Sequence, residues 1–137
     1  MRSISLLIAG TVLASCTTAP PPPGPPQRTP SGQRAFNNLL TGKVAGQPLN
    51  CLPNYNTKDN MSVIDGHTIA FNPGPRTVYL VHLTTGCEMI DGGPYALVSR
   101  QFASALCRGD IQQVVDTMNR SNAGSCTVAE IVPYTKP

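Results

Sequence analysis

The sequence predicts a small α+β domain, with one N-terminal helix followed by a six-stranded antiparallel β-meander that forms a small barrel or strongly bent sheet. Three observations predict it. Only one segment spaces its apolar residues as a helix does. Short β-rich runs separated by Gly-, Pro- and Asn-containing turns fill the rest of the domain. Such consecutive strands usually pair with their neighbours along the chain, which predicts a meander.

The helix is expected in "QRAFNNLLTGKVAGQP". Its apolar residues recur at intervals of three and four, which places them on one face of a helix. Gly46 and Pro48 follow as stop signals. We therefore expect one helix over about 33–45.

Six β-rich runs follow the helix. The first two flank Asp65 and Gly66, a dipeptide that favours the positive φ angles of a type I′ hairpin turn. The others are 77–83, 95–100, 111–117 and a last run that begins at Cys126. The run 77–83 is apolar on both faces, so it is expected to lie in the middle of the sheet.

Four cysteines of the domain predict two disulfide bonds, since an even number in an exported chain is typical of a disulfide framework. A disulfide needs Cα atoms within about 7 Å. The meander places Cys51 and Cys107 at one end of the sheet and Cys87 and Cys126 at the other. The predicted pairs are therefore Cys51–Cys107 and Cys87–Cys126.

The first 15 residues have the pattern of a secretory signal. Arg2 is the only charge, an apolar run follows, and small residues precede Cys16. The apolar run covers about 11 residues, whereas a helix needs roughly 20 to span a bilayer core. We expect residues 1–15 to be a removable signal peptide.

The motif Leu13-Ala14-Ser15-Cys16 resembles the bacterial lipobox. The resemblance implies cleavage before Cys16 and attachment of a diacylglycerol thioether and an amide-linked acyl chain, such as palmitate, to that residue. Thr17 is not the Asp that the resemblance links to inner-membrane retention, so the outer membrane is favoured, with the domain facing the periplasm or the exterior. The alternative is an ordinary secreted protein in which Cys16 is incidental or pairs with another cysteine.

Residues 16–32 are expected to be a lipid-anchored tether, and residues 33–137 the folded domain. Seven of the 14 prolines lie between Thr17 and Gln33. Proline fixes φ and lacks an N–H, which favours an extended polyproline II segment. At about 3.1 Å per residue, such a segment holds a domain roughly 40–50 Å from a membrane.

Charge excludes one class of function. The net charge is +3, only 12% of the residues are charged, and the basic residues form no stripe. Nucleic-acid binding is therefore not supported.

The pattern "GKVAGQPLNCL", a hairpin containing "IDG", "LCRGDI" and the ending "VPYTKP" resembles a family of small bacterial envelope proteins. The resemblance covers nearly all of residues 36–137. It implies a single domain in an envelope setting, and it provides no catalytic residue.

Candidate chemistry is sparse. Five residues could meet at one end of the meander and bind a divalent metal: His67, His82, Asp65, Glu88 and Asp91. The alternative is that the first histidine is solvated and the second packs in the sheet. The triplet Arg108-Gly109-Asp110 could suggest adhesion, although a disulfide-fixed turn is the simpler interpretation.

No catalytic constellation or cofactor motif is found, because a G-x-S-x-G elbow is missing and disulfide cysteines are not nucleophiles. The favoured function is a non-catalytic binding or structural module that is anchored to the envelope by Cys16 and binds an envelope protein or glycan. The alternatives are a small hydrolase or metal-binding protein with a His/carboxylate rim, and an inhibitor of an envelope-directed hydrolase.

Overall fold

A computed structural model describes residues 28–53, 60–100 and 105–137. The predicted signal peptide, Cys16 and the tether up to residue 27 lie outside the described residues. Among the residues that are described, no helix is long and apolar enough to cross a membrane.

The helix α1 runs from Pro30–Leu40, so it begins and ends earlier than predicted and includes the end of the predicted tether. Thr29 caps it, since its hydroxyl accepts the Gly32 N–H at 3.1 Å, and Pro30 is pre-organised for the first helical position. At the other end Gly42 adopts a φ of 67° and breaks the helix.

In the part of the chain that the structure describes, seven antiparallel strands form one curled sheet, a half-barrel. They are β1 (Val44–Ala45), β2 (Met61–Asp65), β3 (Thr68–Gly74), β4 (Thr77–Leu83), β5 (Tyr95–Arg100), β6 (Ile111–Asp116) and β7 (Asn122–Thr135). The order is β2-β3-β4-β7-β6-β5, with β1 paired to β7. The six predicted strands are β2 to β7, and β1 is an addition from the end of the predicted helix.

The predicted meander is wrong at one connection, because β4 pairs with β7 and not with β5. β7 is 14 residues long, and it pairs with β6 up to Thr127 and with β4 from Val128 onwards. The connection between β4 and β5 is long and contains a 3₁₀ turn, Glu88–Asp91. It places β5 at the edge of the sheet beyond β7 and β6, and not beside β4. β4 is thereby placed between two strands, which suits its apolar residues on both faces.

Each face of the sheet has its own apolar cluster. On the helix-covered face, α1 packs with Phe36 and Leu39 against Val78 and Leu80. The opposite, loop-covered face is closed by residues from outside the strands, including Leu52 and Leu106.

Two disulfide bonds join Cys51 to Cys107 and Cys87 to Cys126, the pairs predicted from the sequence. They indicate an oxidising, exported environment. The predicted pairs are correct although the predicted strand order is not. Cys87 follows the end of β4, and Cys126 lies on β7, which pairs with β4.

The turn between β2 and β3 differs from the predicted type I′ turn. Asp65 pairs with Thr68, so Gly66 and His67 are the central residues, and neither has a positive φ. The Asp65 side chain organises the turn instead, since Oδ1 accepts the His67 N–H at 2.8 Å. Gly66 is needed for space, because a Cβ atom there would lie 2.8 Å from the Cα of Glu88.

Candidate functional site

Four polar residues cross the helix-covered face beside the β2–β3 turn, one from each of four adjacent strands. We name this set the polar row: Asp65, Thr68, His82 and Glu130. The register pairs Asp65 with Thr68, Thr68 with His82, and His82 with Glu130. Directly opposed residues point to the same face with Cβ atoms about 4.5–5.5 Å apart. The sheet therefore aligns two carboxylates, a hydroxyl and an imidazole.

A β-bulge brings Asp65 into the polar row. The register shifts between Val63 and Asp65, which leaves Ile64 without a direct partner on β3. Both Ile64 and Asp65 then lie on the helix-covered face, whereas strict alternation would send Asp65 to the other face. Bulges commonly redirect a side chain in this way.

Asp65 is bound by a residue from before the helix. Arg28 Nε lies 2.7 Å from Asp65 Oδ2, and the two side chains are 14% and 2% exposed. The guanidinium carbon of Arg28 also lies 4.1 Å from the centre of the Phe36 ring on α1. Arg28 thus neutralises a buried carboxylate and packs on the helix at the same time.

His82 is half-buried within the polar row. Burial lowers the pKa of His82, and Arg28 lowers it further, while Glu130 and Asp65 act in the opposite direction. The imidazole is therefore neutral at neutral pH.

Across the sheet, Thr68, His82 and Glu130 lie in the order of nucleophile, base and acid in a hydrolase triad. Thr68 has no exposed surface, however, and its hydroxyl has no hydrogen-bond partner among the described residues. A substrate cannot reach this hydroxyl. Within the polar row, Asp65 and Thr68 are buried beneath Arg28, while His82 and Glu130 are half-buried.

The five residues predicted to bind a metal lie in different parts of the structure. Asp65 and His82 belong to the polar row. His67 Nε2 lies 3.7 Å from Glu88 Oε1 at the β2–β3 turn, and Asp91 is exposed at the end of the 3₁₀ turn. Within the ranges that the structure describes, no three His, Cys, Asp or Glu side chains are placed to hold a metal ion. The structure therefore does not bring the five predicted ligands together in one place.

Glu88 instead fixes the loop that follows β4. Both of its carboxylate oxygens lie 3.0 Å from the Gly86 nitrogen and accept its N–H. This backbone hydrogen bond lowers the pKa of Glu88.

The Arg108-Gly109-Asp110 triplet is held in a tight turn. Arg108 Nε donates to the Ala129 carbonyl at 3.0 Å, and Asp110, which is 5% exposed, accepts the Cys107 N–H at 2.8 Å. Because the Asp110 carboxylate is buried and engaged, it is not presented to an adhesion receptor.

A shallow depression of about 380 Å³ lies at the β3–β4 turn. It is lined by Pro73, Gly74, Pro75, Arg76, Thr77 and Tyr79. An aromatic ring, proline rings and a cation provide apolar contact together with charge. The depression lies at the opposite end of β3 from Thr68, about 20 Å away at the rise of a strand.

Sequence reasoning missed Arg28, because it treated residues 16–32 as a spacer without contacts. The signal was present as Arg28-Thr29-Pro30, in which a helix cap and a proline at the first helical position follow the arginine. It also missed the place of Glu130, which depends on the pairing of β7 with β4.

Comparisons with known proteins identify no relative. No protein-family model, no curated protein and no solved structure matches the chain.

Proposed function

We propose that the protein is a non-catalytic module of the bacterial envelope, exported and lipid-anchored through Cys16. The lipobox-like motif and the proline-rich stretch after it support the anchor. The two disulfide bonds support export, because such bonds persist in oxidising compartments.

The observation that carries the proposal is the ion pair of Arg28 with Asp65. Arg28 lies inside the predicted tether, between Pro26 and Pro30, and it contacts a buried carboxylate of β2 and the ring of Phe36. The connection to the anchor is thus part of the folded domain. Such an attachment suits a domain that is held at its Arg28 end and uses its opposite end to bind a partner.

The other end carries the depression at the β3–β4 turn. Arg28 binds where β3 begins, whereas Pro73, Pro75 and Arg76 lie where β3 ends. In the proposed arrangement the depression lies at the end of β3 opposite to Arg28, where the attachment does not cover it. Tyr79 and the proline rings suit contact with a sugar ring or an apolar side chain of an envelope glycan or protein.

Membrane fractionation of Cys16→Ser tests the anchor. We expect the wild-type protein to stay with membranes after a high-salt wash, because several acyl chains bind a bilayer far more strongly than one. The variant should be released into the soluble fraction. Ser15→Ala, which keeps a small residue before the cysteine, is the matched control and should remain bound.

Mass spectrometry of the mature N-terminal peptide complements the fractionation. We expect a peptide that begins at Cys16 and carries diacylglycerol and an acyl chain. A variant that stays in salt-washed membranes, or an unmodified Cys16 in the wild-type protein, contradicts the proposal.

A further inference from the structure

The two disulfide bonds differ in their access to solvent. Cys51 is exposed and Cys107 is half-buried. Cys87 and Cys126 are 0% and 4% exposed, and they belong to the apolar cluster of the loop-covered face. Thiol–disulfide exchange requires a thiolate to reach a sulfur atom, so the Cys51–Cys107 bond is the accessible one.

The accessible bond fastens two segments that cover the sheet. Cys51 and Cys107 face each other in an isolated antiparallel bridge. The residues that follow Cys51 and precede Cys107 are Leu52 and Leu106, which are 5% and 4% exposed and pack in the cluster of the loop-covered face. The bond therefore holds a pair of leucines over the apolar interior of the half-barrel.

Within 28–53 and 105–137, two backbone hydrogen bonds also join these two segments. The Leu52 N–H donates to the Leu106 carbonyl, and the Arg108 N–H donates to the Asn50 carbonyl, both at 2.8 Å. Each such hydrogen bond contributes only about 0.5–1.5 kcal/mol in water. The bridge is thus well placed to decide whether the two segments stay together.

We propose that the Cys51–Cys107 bond is a redox latch that a dithiol reductant opens while the rest of the domain stays folded. A thiolate of the dithiol attacks Cys51 Sγ, the S–S bond breaks, and the electron pair leaves on Cys107 Sγ. The second thiol of the dithiol then displaces Cys51. The protein gains two electrons and two protons as two thiols, and the dithiol becomes a disulfide.

Exposure favours this direction of attack. Cys51 is exposed and Cys107 is half-buried, so an approaching thiolate reaches the Cys51 sulfur more easily and Cys107 is the leaving group.

The domain keeps its framework when the latch opens. The buried Cys87–Cys126 bond joins the loop after β4 to β7. The Leu49 N–H still donates to the Ile131 carbonyl at 2.8 Å, so the segment stays attached upstream of Cys51. The open state differs by release of Leu52 from Leu106 and exposure of the apolar cluster below.

Graded reduction of the oxidised domain tests the latch. The domain is incubated with dithiothreitol at neutral pH, alkylated with iodoacetamide at intervals and mapped by mass spectrometry. We expect Cys51 and Cys107 to be alkylated at least about tenfold faster than Cys87 and Cys126. Equal rates, or earlier modification of Cys87 and Cys126, would overturn the proposal.

Hydrogen exchange on the half-reduced protein tests the opening. We expect faster exchange at the amides of Leu52 and Arg108, with unchanged exchange in β3 and β4. Unchanged exchange at Leu52 and Arg108 after selective reduction would show that the two segments stay together without the bond. That result would overturn the proposal. The double variant Cys51→Ser/Cys107→Ser should reproduce the half-reduced pattern, and reduction of the wild-type protein keeps the test valid if the variant does not fold.

Discussion

Arg28 Nε lies 2.7 Å from Oδ2 of Asp65, a carboxylate that is only 2% exposed. The arginine comes from the segment before α1, and the aspartate ends β2. The pair therefore ties the N-terminal connection of the domain to its sheet. A buried carboxylate that loses its partner is costly, so this connection is part of what keeps the domain folded.

The ring of Phe36 is expected to stabilise the folded domain through its contact with Arg28. Phe36→Leu keeps an apolar side chain on α1, but it removes the face over which the guanidinium lies. We expect a loss of about 1–3 kcal/mol in the free energy of unfolding, from the smaller side chain and the lost cation–π contact. Urea denaturation measures it. In an Arg28→Met background the same substitution should cost less, and an equal cost in both backgrounds would show that Phe36 acts without Arg28.

Gly66 is expected to tolerate no side chain. Gly66→Ala places a Cβ atom 2.8 Å from the Cα of Glu88, which forces the β2–β3 turn away from the 3₁₀ turn. We expect a loss of about 1–3 kcal/mol, the usual cost of overpacking. Gly74→Ala at the other end of β3 is the control, since its Cβ atom meets nothing within 4 Å. Equal melting temperatures for the two variants would contradict this packing.

Acid is expected to destabilise the domain through His82. Burial lowers the pKa of His82 in the folded state below the ordinary value of 6.5. As the pH falls below about 6.5, the unfolded chain binds a proton that the folded chain does not, so stability is lost until the pH passes the folded pKa. His82→Gln should flatten this part of the curve of unfolding free energy against pH. A variant with the wild-type slope just below pH 6.5 would show that His82 is not responsible.

Local patterns predict most elements of this fold, but they do not predict the order of its strands. The runs that became β2 to β6 were recognisable because apolar residues and turn residues alternate along them. The pairing of β4 with β7 joins residues about 50 positions apart, such as His82 and Glu130. No local pattern specifies such a contact, because a long connection allows several neighbours.

The candidate site was harder to predict for two physical reasons. A single extra residue, Ile64, redirects Asp65 to the helix-covered face, and a bulge of this kind leaves little trace in an apolar run. Arg28 lies among prolines that predict an extended chain, so its contact with Asp65 appears only when α1 is placed on the sheet. Both disulfide pairs could be predicted, although Cys126 lies inside β7 and not at its start, because Cys87 follows β4 and β7 is the strand beside β4.

A double-mutant cycle on Arg28 and Asp65 tests most directly whether the N-terminal connection is built into the domain. Arg28→Met alone should lower the free energy of unfolding by about 3–5 kcal/mol, because it leaves a buried charge without a partner. Asp65→Asn in that background should recover part of the loss, since a neutral amide needs no cation. We predict a coupling energy above about 1 kcal/mol from urea denaturation of the wild-type protein and the three variants. Additive losses, with no coupling between the two substitutions, would contradict the account.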